Sequence, residues 1–167
     1  AFIDEKIRIS WQKLREFANY RLYDIEDAQY LKCDYKTDNT FPSDDADWKP
    51  FTRDTRMTGR DAHYWIRASF KTPPAKENTS YYLKCTTGYE GEWDGTNPQG
   101  LIYLNGEMVQ GIDTNHTEIY LEPDTEYEMY NYFYLGLLKN NVPLFMSMCE
   151  LDEKSEQLYY AIKVPYD

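Results

Sequence analysis

The alternation of apolar and polar positions is clearest at residues 100–121, which predict two strands joined by a tight turn and then a third strand. Residues 101–104 are a continuous apolar run, typical of a strand covered on both faces. Asn105-Gly106 follows directly. This dipeptide accepts the positive φ angles of a two-residue hairpin turn. The sequence therefore predicts a hairpin that returns at 107–110, followed by a strand at 117–121.

Five further segments have the apolar or alternating pattern of strands, and turn residues separate most of them. They lie at 63–71, 80–86, 126–138, 144–151 and 158–164. With the three strands above, the chain has about eight predicted strands and little helical periodicity. Two packed antiparallel sheets, a mainly β, jelly-roll-like sandwich over 62–167, are the expected fold class.

The first 23 residues have the spacing of an amphipathic helix. Ile7, Trp11, Leu14 and Ala18 recur at helical intervals. The sequence leaves open whether this helix packs on the sandwich or on another part of a larger protein. Either way, it is the one helix that the pattern predicts.

Residues 24–61 have few consecutive apolar positions and contain two prolines, which predicts an irregular segment. A long irregular segment within a compact domain is uncommon unless it lies against a surface. We expect it to wrap the sandwich, held by Phe41, Trp48 and Phe51. The three segments together form one domain, the default for 167 residues.

Charge, cysteine spacing and hydropathy narrow the partners and the location that we expect for this chain. The 18 basic and 29 acidic side chains give a net charge of −11, which disfavours nucleic acid. Three well-separated cysteines lack the spacing of a metal site, so buried thiols are expected. Without a long apolar span or a secretory segment, a cytoplasmic location and no membrane contact are expected.

Residues 91–121 carry a longer motif, GEWDGTNPQGLIYLNGEMVQGIDTNHTEIYL. This stretch resembles the domain that precedes the catalytic barrel in glycoside hydrolase family 38 α-mannosidases of the bacterial and vacuolar or cytosolic type. Members share a pattern close to WD…NPQ…YLNG…QG.D.NH. The resemblance extends to other parts of the chain: Trp48, the run at 64–67, Phe70, Pro73 and the ending at 163–167. Many members have a basic residue where this chain has Thr114.

The resemblance implies a galactose-binding-domain-like β-sandwich with one N-terminal helix, belonging to a larger enzyme. The parent would be a retaining hydrolase of terminal α-mannosides, holding a divalent metal, usually zinc, in its barrel. This chain offers only His63 and His116 as imidazole ligands, and no paired carboxylates can be singled out. We therefore expect a non-catalytic fragment, without metal or catalytic residues, that supports or docks on the barrel.

Asp113, Asn115 and His116 form a polar cluster on the loop before the strand at 117–121. Functional groups collect on loops, so this one is a candidate for contact with the barrel, with a sugar or with another subunit. The other interpretation is local: Asp113 and Asn115 bond the turn backbone, and His116 is structural. The local interpretation is favoured.

Trp93, Asp94 and Asn97 are candidates of the same kind. An exposed indole beside a carboxylate and an amide suits a sugar ring, whose C–H face stacks on aromatic rings. Trp93 as a plug at one end of the sandwich is the favoured alternative. On the predicted strand 63–71, where Trp65 and Arg67 alternate with Ile66, we expect Trp65 in the core and Arg67 in a surface ion pair.

Two other functions remain open at this point. One is a stand-alone carbohydrate-binding module for mannosides, and the other is an interaction domain that forms homo-oligomers. Exposed aromatic side chains in a concave site would favour the first. Self-association would favour the second.

Overall fold

The computed structural model describes residues 19–35, 40–88, 99–113, 116–137 and 140–163. These residues form ten strands followed by one helix. The strands are β1 (Asn19–Asp24), β2 (Ala28–Cys33), β3 (Lys49–Phe51), β4 (Ala62–Lys71), β5 (Thr79–Thr86), β6 (Gln99–Leu104), β7 (Glu107–Ile112), β8 (Glu118–Leu121), β9 (Glu126–Leu135) and β10 (Phe145–Asp152). Helix α1 spans Glu153–Lys163.

The strands form two antiparallel sheets. One has four strands in the order β1-β10-β5-β8, and the other has six in the order β3-β2-β4-β9-β6-β7. Strand β9 lies inside the larger sheet, where it pairs with β4 along ten positions and with β6 along six. β7 and β8 each lie at an edge of their own sheet.

The two sheets share one apolar core, which makes the fold a mainly β sandwich. Met129 and Phe133 of the larger sheet and Leu83 and Met148 of the smaller one belong to the same buried cluster, each fully buried. Burial of a side chain of this size stabilises the fold by roughly 1.5–3 kcal/mol. The sandwich predicted for this chain is therefore confirmed.

An aromatic layer covers the opposite face of the six-stranded sheet. Its buried members are Trp65, Tyr103, Tyr130 and Tyr132, and Phe41 and Trp48 of the 40–48 loop pack onto them. The Phe41 ring stacks on Tyr130 with centroids 4.6 Å apart. The wrapping segment is therefore held by Phe41 and Trp48 as predicted, whereas Phe51 is buried in the inner core on β3.

The predicted hairpin turn is present. Asn105 and Gly106 have φ angles of 51° and 86°, which is the left-handed region that a two-residue turn requires. The Asn105 side chain also accepts a hydrogen bond from the Glu128 backbone N–H at 2.8 Å. The turn is thereby attached to β9 as well as to its own strands.

Seven of the eight predicted strands are found, with ends shifted by up to three residues. The eighth, at 158–164, is wrong because residues 158–163 belong to helix α1, and 164 lies outside the described residues. Asp152 caps the helix: its Oδ1 accepts the backbone N–H groups of Lys154 and Ser155 at 3.0 and 3.3 Å. Glu153 and Glu156 in the first turn complement the helix dipole.

The first part of the chain differs from the prediction in two respects. Residues 1–18 of the predicted N-terminal helix lie outside the described residues, and 19–23 are extended in β1. The one helix of the described residues is therefore C-terminal. The segment 24–61, predicted to be irregular, contributes β2 and β3 to the six-stranded sheet. Among the described residues, we find no helix with the length and hydropathy of a membrane span.

Substitution of Gly100 tests how closely β6 approaches β9. A Cβ at this position would lie 2.6 Å from Oδ1 of the fully buried Asn131 and 3.2 Å from the Phe133 ring. We expect Gly100→Ala to lower the free energy of unfolding by about 1–3 kcal/mol, measured by urea denaturation. Gly111→Ala is the matched control, since the nearest atom is an ordinary 3.8 Å away. Equal effects of the two variants would contradict the close approach.

Alkaline pH should destabilise the fold, because burial raises the pKa of the Cys85 thiol to about 12 from its ordinary 9.0. Between these values the unfolded chain loses a proton that the folded chain keeps, so stability falls as pH rises. Cys85 alone would contribute up to about 1.4 kcal/mol per pH unit. Burial also raises the pKa of Cys33, to about 11, and acts in the same direction.

Urea denaturation between about pH 8 and pH 11 measures this slope. Cys85→Ala is expected to flatten it, whereas Ile119→Val, which also removes volume from the core but no titrating group, is expected to leave it unchanged. A slope that is the same in the wild type and in Cys85→Ala would refute the assignment to this thiol.

Candidate functional site

The connection between β7 and β8 is closed by a pair of residues, Asp113 and His116, which we call the clasp. Oδ1 of Asp113 accepts the backbone N–H of His116 at 2.8 Å and lies 3.0 Å from its ring Nδ1. In return, the backbone N–H of Asp113 donates to the His116 carbonyl oxygen at 3.3 Å. These bonds hold the turn from within, as expected of an aspartate in a loop of this kind.

The clasp borders an open pocket of about 600 Å³, which we call the clasp pocket. It lies where β6 begins and β7 ends, over the adjoining part of β9. Gln99, Gln110, Asp113 and His116 supply polar groups to its lining, and Tyr132 and Tyr134 supply aromatic rings. The strand pairing explains this grouping, since Gln99 lies opposite Tyr134 and Leu101 opposite Tyr132.

The hydroxyls of the two pocket tyrosines are both occupied. The Tyr132 hydroxyl is hydrogen-bonded to Nδ1 of the buried His63 at 2.7 Å. A hydrogen bond from the Tyr134 hydroxyl to the Asp61 carboxylate is the main cause that raises the pKa of Tyr134. Both rings are therefore held in place from β4 and the loop before it.

His63 lies at the centre of this aromatic wall. Its ring stacks on Tyr132 with centroids 5.8 Å apart and contacts Tyr134 at 5.0 Å. The exposed Tyr35 ring meets it edge-on at 5.5 Å. Since Nε2 of His63 is 3.9 Å from Asp61 Oδ1, this carboxylate lies near both His63 and Tyr134. The imidazole thus serves as a packing and hydrogen-bonding centre.

Trp65 and Arg67 lie further along β4, and the Trp65 ring is 5.3 Å from the ring of the pocket residue Tyr132. Trp65 is buried as expected, but in the aromatic layer and not between the sheets. Arg67 forms the predicted ion pair, with Asp44 at 2.7 Å, and its guanidinium lies 4.2 Å from the centre of the Trp48 ring. It also donates to the Gln29 side chain at 2.8 Å. Arg67 therefore helps to fasten the wrapping loop.

The sequence-predicted candidates are only partly covered by these observations. Asp113 and His116 are together in the clasp, with side-chain exposures of 41% and 67%. Trp93, Asp94, Asn97 and Asn115 lie outside the described residues.

Sequence reasoning missed the tyrosine side of the pocket. Tyr130, Tyr132 and Tyr134 alternate along β9 and share its outer face, a pattern visible in the sequence as EYEMYNYFYL. That pattern alone did not single out two of these rings as neighbours of the clasp. Gln99 and Gln110 had no distinguishing signal.

Among the described residues, no group of three or more His, Cys, Asp or Glu side chains could hold a metal ion. Cys33, Cys85 and Cys149 form no disulfide. No protein-family model matches the chain, and no curated protein matches it at a significant level.

The clasp predicts an unequal response to removal of its two side chains. Asp113→Ala leaves the backbone N–H of residue 116 without its acceptor and should cost about 1 kcal/mol of unfolding free energy. His116→Ala keeps that backbone bond and removes only an exposed side-chain contact, so its cost should be roughly a few tenths of a kcal/mol. Thermal or urea unfolding of both variants measures these two losses of unfolding free energy. Equal losses would contradict the prediction, because they would show that the imidazole ring, and not the bond from Asp113 to the backbone, stabilises the turn.

Proposed function

We propose that this chain is a non-catalytic β-sandwich module of a larger α-mannosidase of the glycoside hydrolase family 38 kind, docking on a catalytic barrel in the same polypeptide. In this proposal, hydrolysis of terminal α-mannosides and the divalent metal, zinc in the usual case, belong to the barrel. The role of the sandwich is to support the barrel.

The observation that supports this proposal is the structure of the stretch that carries the resemblance. From Gln99 to Leu121, its described residues form β6, β7, the clasp and β8 in succession. This unit passes from the six-stranded sheet to the four-stranded one, and Gln110 Nε2 of β7 donates to the Glu118 carbonyl oxygen of β8 at 3.1 Å. The motif therefore builds one whole edge of the sandwich.

Three apolar or aromatic side chains are exposed on the two strands of that edge. Met108, Val109 and Tyr120 are exposed by 61%, 46% and 53%. Edge strands also present unpaired backbone groups, and proteins usually protect such edges with charges, prolines or a covering element. An apolar edge of this kind is suited to a contact with another part of the protein. We assign it to the barrel.

The first test is the size and activity of the protein that contains this chain. Antibodies raised against the 167-residue chain should recover from its source a polypeptide several hundred residues longer. The recovered protein should hydrolyse p-nitrophenyl α-mannoside, lose activity on chelation and regain it with zinc. The chain by itself should be inactive. A recovered protein of the chain's own size, or a longer one without α-mannosidase activity, would refute the proposal.

A pair of variants then tests the docking edge in the longer protein. Val109→Asp puts a charge on the apolar edge and should speed proteolysis between sandwich and barrel. Leu158→Asp is the matched control, because it puts the same charge on a similarly exposed side chain of α1, 50% exposed. Circular dichroism of both variants in the 167-residue chain verifies that each sandwich still folds. Equal proteolysis of the two variants would place the contact elsewhere.

A further inference from the structure

We infer that the clasp pocket is a binding site for a single neutral sugar ring, a pyranoside. This inference does not depend on the proposed function. It rests on the shape, the chemistry and the charge of the pocket as the described residues form it.

The size and position of the pocket suit a small ligand. Its volume of about 600 Å³ lies within the roughly 300–1,000 Å³ usual for small-molecule sites. It opens on the outer face of the six-stranded sheet beside a turn, so a ligand can enter without strand movement. Gly111, which also lines it, lets a ligand approach the backbone of β7.

One wall of the pocket is aromatic and rigid. Tyr132 and Tyr134 line it, and their hydroxyls are fixed by His63 and Asp61, respectively. Sugar rings have an apolar C–H face that packs on aromatic rings. Because both rings are held before any ligand arrives, binding does not have to order them, and this lowers its entropic cost.

The other wall carries polar groups suited to hydroxyls. Gln110 uses Nε2 to bond the Glu118 carbonyl oxygen, which orients its carboxamide and leaves Oε1 as an acceptor. Gln99 adds an exposed carboxamide, which both donates and accepts. The Asp113 carboxylate and the His116 ring complete this wall. Carboxamides and carboxylates are the planar groups that bind vicinal hydroxyls without requiring ligand charge.

The charges select a neutral ligand. No lysine or arginine is among the described residues that line the pocket, whereas Asp113 lies in one wall and Asp61 is bonded to Tyr134 of the other. A phosphate or carboxylate ligand would be repelled by these carboxylates, in a chain with a net charge of −11. A cation would have to compete with the His116 ring, which lies 3.0 Å from both Asp113 oxygens.

The test is a titration of the ¹⁵N-labelled chain with methyl α- and β-pyranosides of the gluco, galacto and manno series, followed by amide chemical shifts. A single ring should bind with a dissociation constant in the millimolar range, so concentrations of up to about 50 mM are needed. Saturable shifts are expected at Gln99, Gly111 and His116 with at least one series. Glycerol at the same concentrations should give no saturation.

Variants locate the binding in the pocket. Tyr134→Ala should raise the dissociation constant roughly tenfold, whereas Tyr134→Phe, which keeps the ring, should stay within about twofold. Tyr120→Ala removes an exposed tyrosine of the other sheet and should have no effect. Gln99→Ala, at an exposed position, should weaken binding about threefold without disturbing the fold.

The inference is overturned if no pyranoside gives saturable shifts, or if Gln99→Ala and Tyr134→Ala bind as the wild type does. Either outcome leaves the proposed function intact, because that is judged by the length and the α-mannosidase activity of the parent protein. Conversely, sugar binding by a chain with no longer parent would uphold this site and refute the mannosidase assignment.

Discussion

The requirement that β9 be covered on both faces governs the rest of the structure. Its side chains alternate between the inner core, where Met129 and Phe133 are fully buried, and the outer aromatic layer of Tyr130 and Tyr132. Period-two alternation sends successive residues to opposite faces, so one apolar strand can serve two layers. The four-stranded sheet covers the first face and the 40–48 loop covers part of the second. The clasp pocket lies on the second face, beside Tyr132 and Tyr134.

Close pairing of β6 with β9 is the second constraint, and it links the core to the pocket. Asn131 points inward and is fully buried, and its side-chain atoms have no hydrogen-bond partner among the described residues. Such an amide costs roughly 1–3 kcal/mol relative to a satisfied one. It is accommodated against Gly100, where any larger residue would clash. β6 can then pair closely with β9 within the sheet, and this pairing places Gln99 opposite Tyr134 and Leu101 opposite Tyr132.

The segment 99–121 therefore has three structural roles. Asn105-Gly106 reverses the chain, β7 and β8 close the edge of the sandwich, and the clasp holds the passage from one sheet to the other. Met108 and Val109 are exposed in the first half of β7, and the clasp pocket lies beside its second half. The proposed docking edge and the proposed ligand site are thus compatible on one hairpin.

The sequence by itself determined the antiparallel sandwich, seven strands and the Asn105-Gly106 turn, because alternation and positive φ are properties of neighbouring residues. It misassigned the segment from 158, because Leu158 and its apolar neighbours suit a strand as well as a helix. In the structure, Asp152 caps a helix that includes them. Only the tertiary structure brought Tyr132 and Tyr134 to Asp113. Alternation fixes the face on which a side chain lies, whereas strand order and register fix which distant residues share that face.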